Sequence, residues 1–562
     1  MRALAFLALF VGAQDPKPAP AVAPLYDKYL AERAALDPTW ATDAGIHDHD
    51  DRLTVWNDAT RDAIIKLVSS RLDDLRKLDP EKLSIDERLD AALWRAQLET
   101  ELYEFRRRDE RKVLPGMPLA GIQAIHSLLI KDFAPIEKRV DHAKSRLGKI
   151  PSLIQEARSR LENPPRIWTE MAIEDAQGAI AAIDEFVELM RPGLDERDRL
   201  SKSTESVARH VKGWIESYVK FLKEEVLPRS TGSFAVGKEV YEHHLKRYHL
   251  LDMDSATLLA LGHREWKATL ELLEATAKKI DPAKTWQVIL EEMKKDHPKA
   301  GELVETYRRE VAKARQYMIE KKIVTLPEGE KLEIIETPAF ERSSTPYAAY
   351  HAPGPLDASR VGHFYVTPVD AKSKPEEQEA QLAGHNKYDI PGTVWHEVYP
   401  GHHTQFVHAK LIASKVRALN SSPLLSEGWG FYCEELAHET GYFTDPRERL
   451  MQLNWRLQRA ARVICDVSLH TGAMTFEDAV KFLMEGVRME RPHAEGSVKA
   501  YTSRPTYFMA YMVGMLELKR IRETARARLG DRFTLQEFHD RVLKYGNVPP
   551  ALIERELNRD WK

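Results

Sequence analysis

The chain is poor in cysteine: Cys433 and Cys465 are the only two in 562 residues. That excludes a disulfide scaffold and, with the two far apart in sequence, a zinc–thiolate site. Whether they pair is open at this level. A charge excess of one sign is also missing. Lys+Arg number 83 against 87 Asp+Glu, a formal net charge of −4, and no basic stripe points to nucleic acid as a partner. After the N-terminus no run approaches the ~18 apolar residues that cross a bilayer, so no transmembrane segment is expected. Glycine is sparse at 27, and neither a fixed-period repeat nor a low-complexity linker is visible. What remains is a long chain, 43% hydrophobic, able to bury a large core in more than one lobe.

Met1-Arg2, the apolar run Ala3–Val11 and the small residues ending at Ala13 read as a secretory signal peptide over 1–13, with a flexible linker over 14–24. The mature chain is then expected outside the cytoplasm, periplasmic or extracellular. No Cys follows the apolar run, so a lipid anchor is not expected. From 25 to 322 the apolar spacing is helical, with long helices expected over Asp86–Phe105, Arg139–Arg160, Ala172–Met190, Ser203–Leu227 and Glu302–Glu320, and with Asp254 or Ser255 capping another. His47, Asp48, His49, Asp50 and Asp51 could serve as metal ligands, but a polar loop explains them as well. From Ile323 the texture changes. Ile323–Pro327 and Lys331–Pro338 are short β-like runs bounded by Pro and Gly, and Ala348–Asp357 and Val361–Pro368 follow them. They predict a small sheet just ahead of the most distinctive stretch, within a second lobe over 323–562. The two lobes would form one intertwined catalytic domain.

That stretch runs from Thr393 to Gln405 and places His396 beside Glu397, then Pro400, Gly401, His402 and His403. A zinc hydrolase needs two neutral imidazoles and a carboxylate base on one surface. The usual spacing puts the histidines at i and i+4, and here i+4 is Pro400. Proline removes a donor and clashes with the carbonyl of residue i−4, His396 itself, so a kink or bulge is expected in an otherwise helical 393–415. An undistorted helix would turn His402 away from His396 and set His403 about 10 Å up the axis. Either is a candidate second ligand. Further on, Ser426 could cap a helix whose first turn carries Glu427, a third ligand, with Glu434 on nearly the same face as a hydrogen-bond partner for the ligand set. Arg462, Asp466 and His470 share one helical face. They could form a buried ion pair, or Asp466 could accept the free N–H of a zinc-bound His while His470 faces substrate. Tyr501, Arg504, Tyr507 and Tyr511 are candidate donors to an oxyanion or a substrate carboxylate, Tyr511 and Tyr501 foremost.

Glu427-Gly-Trp-Gly-Phe-Tyr-Cys-Glu434 resembles the Asn-Glu-Gly-Phe-Ala-x-Tyr-x-Glu string of gluzincin aminopeptidases, whose Glu before Gly is the third zinc ligand. His396-Glu397 followed by Gly401-His402 resembles the His-Glu-x-Gly-His of helical carboxypeptidases of the Taq and angiotensin-converting types, with two residues inserted. That likeness favours His402 over His403. The closest likeness is to the bacterial family of unknown function 885, with its His-Glu-x-x-Pro-Gly-His-His-x-Gln, intact here from His396 to Gln405. It extends to the Gly45–Leu53 and Tyr350–Val366 segments, Asp466-x-x-Leu-His470 and Tyr511-x-x-Gly514. The chain departs from it at Pro505-Thr-Tyr507, where members commonly carry Pro-Gly-Gln. The resemblance implies a mainly α, metallopeptidase-like fold with a deep central channel and a small β-sheet beside the zinc helix. It implies Zn²⁺ as cofactor, Glu397 as base and short peptides or amides as substrates, cleaved by a dipeptidase- or carboxypeptidase-like activity. The rival readings are a zinc hydrolase of a non-peptide amide and a peptide-binding protein without turnover.

Overall fold

The computed structural model describes residues 21–338, 342, 345–357 and 359–561. The signal-peptide segment lies outside the described residues, as does the linker up to residue 20. About 70% of the chain is helical. The helices arise where apolar residues recur at three-and-four spacing, and their starts carry the expected caps. Asp254 accepts from the Thr257 amide, and Ser84 with Glu87 closes a capping box. The first helix, Val22–Leu36, begins inside the expected linker and stops before Pro38. The expected single helix over Arg139–Arg160 is two, Ile136–Leu147 and Ile150–Arg160, because Pro151 can be accommodated only in a first turn.

Eight helices and three strands frame the site and are labelled α1 (Ser255–Ile280), α2 (Leu303–Glu320), α3 (Ile390–Glu397), α4 (His402–Ala409), α5 (Pro423–Glu439), α6 (Pro446–His470), α7 (Arg491–Ser503), α8 (Ala510–Leu529), β1 (Lys331–Glu336), β2 (Ala348–His351) and β3 (Val361–Val366). β3 is the middle strand. β1 pairs with it in parallel from Lys331 opposite Val361, and β2 antiparallel with Tyr350 opposite Phe364. β2 is therefore an edge, beside α3. Ile323–Leu326 is not a strand. Ile323 and Val324 are buried, and the backbone there is satisfied by side chains: His539 at the Ile323 carbonyl, His408 at the Thr325 carbonyl and Asp540 at the Thr325 amide.

One hydrophobic core joins N-terminal residues such as Tyr26 and Trp94 to Val394, Trp429, Met515 and Leu557. A second lies wholly within residues 53–226. The third packs Leu273 and Trp286 against Leu453, Leu469 and Tyr501. α5 lies along α8, and α1 along α6. Cys433 and Cys465 are both free and buried. Among the described residues no helix is long and apolar enough to cross a membrane.

Candidate metal centre

The stretch around Pro400 folds as two short helices rather than one kinked one. α3 ends at Glu397, the Tyr399–Pro400 peptide is cis, and α4 starts at His402. The ladder closes early: the Val398 and Tyr399 amides both donate to the Val394 carbonyl. What lets the second helix start against the end of the first is Gly401. A Cβ there would lie 1.9 Å from the His396 carbonyl oxygen, so no other residue permits this approach. Trp429, fully buried on α5, donates its indole N–H to the Pro400 and Gly401 carbonyls at 2.9 and 3.3 Å. The break therefore brings His402 back to His396, with ring centroids 4.8 Å apart and nearly perpendicular.

Glu427 reaches the same point from α5. That helix begins at Pro423, with Ser426 inside it and bonded back to the Ser422 carbonyl at 3.3 Å, so Ser426 is not the cap the sequence suggested. α5 meets α8 where Gly428 faces Gly514, and a Cβ on Gly428 would lie 2.6 Å from the Gly514 backbone. The absent side chains let Glu427 and Tyr511 approach each other. Glu427 Oε2 lies 3.9 Å from His396 Nε2 and 3.7 Å from His402 Nε2, and Glu427 Oε1 accepts from the Tyr507 hydroxyl at 2.6 Å. Burial alone would raise the Glu427 carboxyl. The hydrogen bond and charge of His402, with His396 and Tyr507 behind them, hold it at about 2. The Tyr511 ring stacks 6.3 Å from that of His396. Burial, then the Glu427 charge, pushes the Tyr511 hydroxyl upward, so it stays protonated and able to donate.

Glu397 completes the group: donor atoms of His396, Glu397 and His402 all lie within 4.8 Å of one another. Its Oε2 accepts from the Tyr350 backbone N–H of β2 at 3.1 Å, so the free edge of the sheet faces the site. His396 Nδ1 meets Glu434 Oε1 at 2.8 Å, and Arg459 donates to that same oxygen at 3.1 Å. With Glu434 accepting the Nδ1 proton, the Nε2 lone pair is left facing the cluster. His402 Nδ1 and both ends of the Gln405 amide are buried without hydrogen-bond partners.

Other sequence candidates stand elsewhere. His403 is fully buried, with Nε2 2.9 Å from Glu330 and Nδ1 3.3 Å from the Tyr350 hydroxyl. One residue further along α4 than His402, it points to the sheet instead of the cluster. Asp466 accepts no histidine proton. It takes the Thr506 and Met509 amides at 3.0 and 3.1 Å and the Tyr241 hydroxyl, and burial raises it to about 7 despite those bonds. It therefore clamps the turn that presents Tyr507, where Thr506 sits at φ 65°. His470 is buried and bonds the Tyr501 carbonyl at 2.9 Å, pinning the end of α7 instead of facing substrate. Tyr501 is buried in the third core with Arg462 beside its hydroxyl. Arg462 makes no ion pair with Asp466; its guanidinium lies 4.7 Å from the Tyr511 ring centroid. Arg504 is exposed and covers the Tyr507 ring. His47 bonds Asp50 and Asp357 at 2.8 and 3.3 Å and stacks on Phe133, tying that loop to the segment after β2. Glu330, Tyr350 and Arg459 carried no local signal, since each reaches its partner across the fold.

Fold and site together define a mainly helical protein with two histidines and two carboxylates gathered where one helix is broken against another. The family model described as "Bacterial protein of unknown function (DUF885)" matches residues 38–557, and the chain belongs to that family. No curated protein matches it. Among solved structures it is similar to a "putative lipoprotein of unknown function" from Shewanella oneidensis, at 24% identity and TM-score 0.82 over 96% of this chain and 100% of that one. It is also similar to the "putative lipoprotein from Colwellia psychrerythraea", at 20% identity and TM-score 0.80 over 96% and 98%. At these identities the likeness speaks to the fold.

Proposed function

We propose that the protein is a zinc-dependent hydrolase of the gluzincin-like metallopeptidase type, acting outside the cytoplasm on amide bonds of short peptides held between its helices. The observation that carries this is the convergence of His396 Nε2 and His402 Nε2 on Glu427 Oε2, at 3.9 and 3.7 Å, with Glu397 alongside. Tetrahedral coordination at 2.0–2.1 Å needs donors roughly 3.3 Å apart, so the set fits a zinc ion after a small contraction. The tethering of His396 by Glu434 fits too, since a ligating imidazole needs its other nitrogen held.

A bound Zn²⁺ supplies a Lewis acid that lowers the pKa of water and polarises an amide carbonyl. The chain supplies the rest. Glu397, held by the Tyr350 amide, takes a proton from the attacking water and passes it to the leaving nitrogen. Tyr511 offers a hydroxyl donor to the developing oxyanion, while the Tyr507 hydroxyl keeps its proton on Glu427. The free edge of β2 offers main-chain hydrogen bonds to an extended peptide.

Glu397→Gln should keep its metal and lose hydrolysis of a dipeptide library read by mass spectrometry. Turnover equal to wild type excludes Glu397 as the base, and a wild type loaded with zinc that cleaves no peptide overturns the reading.

A further inference from the structure

Four polar side chains fill the first turn of α4, and three of them have a visible target. His402 turns its Nε2 to Glu427 Oε2 at 3.7 Å. His403 ends on Glu330 and the Tyr350 hydroxyl, and the Thr404 hydroxyl on the Val398 carbonyl at 3.3 Å. Gln405 has none. It is buried, and neither its amide oxygen nor its amide nitrogen has a hydrogen-bond partner. His402 Nδ1, on the same turn, is also buried without one. A polar atom withdrawn from water without a partner is costly, so a side-chain amide orphaned at both ends calls for an explanation. Residues three apart on a helix are neighbours, which sets the unused acceptor beside the unused ring nitrogen. Burial opposes a charge on His402, whereas Glu427 and Glu397 favour it and the Gln405 amide adds to them. The amide is thus near the ring but short of bonding geometry. The other neighbour on that turn, Phe406, has its ring centroid 6.1 Å from that of His402 and offers no acceptor. His396 shows the completed arrangement, with Nδ1 2.8 Å from Glu434.

We propose that Gln405 is the positioning residue for His402: its amide oxygen accepts the Nδ1 proton once Nε2 is drawn onto a metal, and so holds the ring with its Nε2 lone pair towards Glu427. This rests on the zinc-centre reading above and adds to it the residue that fixes the second imidazole, as Glu434 fixes the first. In the metal-free protein the amide is left unpaired, and the bond it lacks forms on metal binding. His396 is thereby held by a carboxylate and His402 by a neutral amide.

The test compares wild type, Gln405→Met and Gln405→Glu by zinc competition with a chromogenic chelator and by urea unfolding of the metal-free proteins. Methionine is close in size and carries no comparable acceptor. It should weaken zinc about 10- to 100-fold without lowering the metal-free midpoint, because it removes an amide that has no bond there to lose. Gln405→Glu keeps an acceptor of the same length and should bind zinc at least as tightly as wild type. Gln405→Asn, which draws the amide back by one methylene, carries the same expectation as Gln405→Met and serves if that variant fails to fold. Zinc bound by Gln405→Met within threefold of wild type overturns the proposal, as does Gln405→Glu binding as weakly as Gln405→Met. A Gln405→Met protein that loses metal-free stability along with zinc marks Gln405 as a packing residue and overturns it too. A wild type that takes up no zinc defeats the metal-centre reading and the proposal together, whereas the preceding outcomes defeat the proposal alone.

Discussion

Replacing Gly401 by alanine should empty the proposed metal centre while leaving most of the fold in place. The added Cβ would fall 1.9 Å from the His396 carbonyl oxygen and 2.4 Å from both the His396 carbonyl carbon and the Trp395 carbonyl oxygen, where real contacts stay beyond 3.0 Å. All three atoms are main chain, so no rotamer change absorbs the clash. Either α4 moves away from α3 or the 398–401 turn refolds, and the shortfall demands a shift of about 1 Å, several times the roughly 0.2 Å tolerance of a metal–ligand distance. His402 then leaves the ligand set. Zinc affinity should drop by more than the 10–100-fold typical of losing a hydrogen bond to a ligand, measured by competition with a chromogenic chelator. Thermal unfolding gives a second reading. Free zinc at 100 times the wild-type Kd should stabilise the wild type by about 2.7 kcal/mol and the variant by almost nothing. A folded Gly401→Ala protein binding zinc within threefold of wild type refutes the argument that this contact assembles the site.

Glu434→Gln keeps the shape of the His396 partner but removes its charge, and should weaken zinc 10- to 100-fold in the same competition assay. Asp466→Ala leaves the Thr506 and Met509 amides buried without acceptors and should cost about 2–5 kcal/mol in urea unfolding. Burial holds His249 at about 3 and His385, His470 and His539 at about 4. The unfolded chain binds those protons near pH 6.5, so stability is full above that value and falls as pH drops towards 4, by up to about 1.4 kcal/mol per pH unit for each histidine. Equal unfolding free energies at pH 7 and pH 5 would contradict this.

Much of the frame was legible locally. Helical spacing, caps and the interruption at Pro400 are properties of a few adjacent residues, and so is the turn to short β-like runs before the motif. The form of the interruption was not. Pro400 announces a disturbance, but two helices set end against end depend on Gly401 and on Trp429 arriving 28 residues later to bond its carbonyl. The roles of the polar residues were least legible, because hydrogen-bond partners are chosen by tertiary packing. His403 finds Glu330, 73 positions away. Asp466 shares a helical face with Arg462 yet bonds backbone amides at 506 and 509, because α6 turns that residue towards the loop before α8. Tyr507 reaches Glu427 across the fold, and nothing in the residues adjacent to either one announces that contact.

The most direct test is the zinc content of protein purified with zinc supplied, compared among wild type, His402→Ala and His403→Ala by elemental analysis. About one zinc per chain is expected in wild type and in His403→Ala, and close to none in His402→Ala. Wild type without zinc, or a site emptied by His403→Ala and kept by His402→Ala, would contradict it.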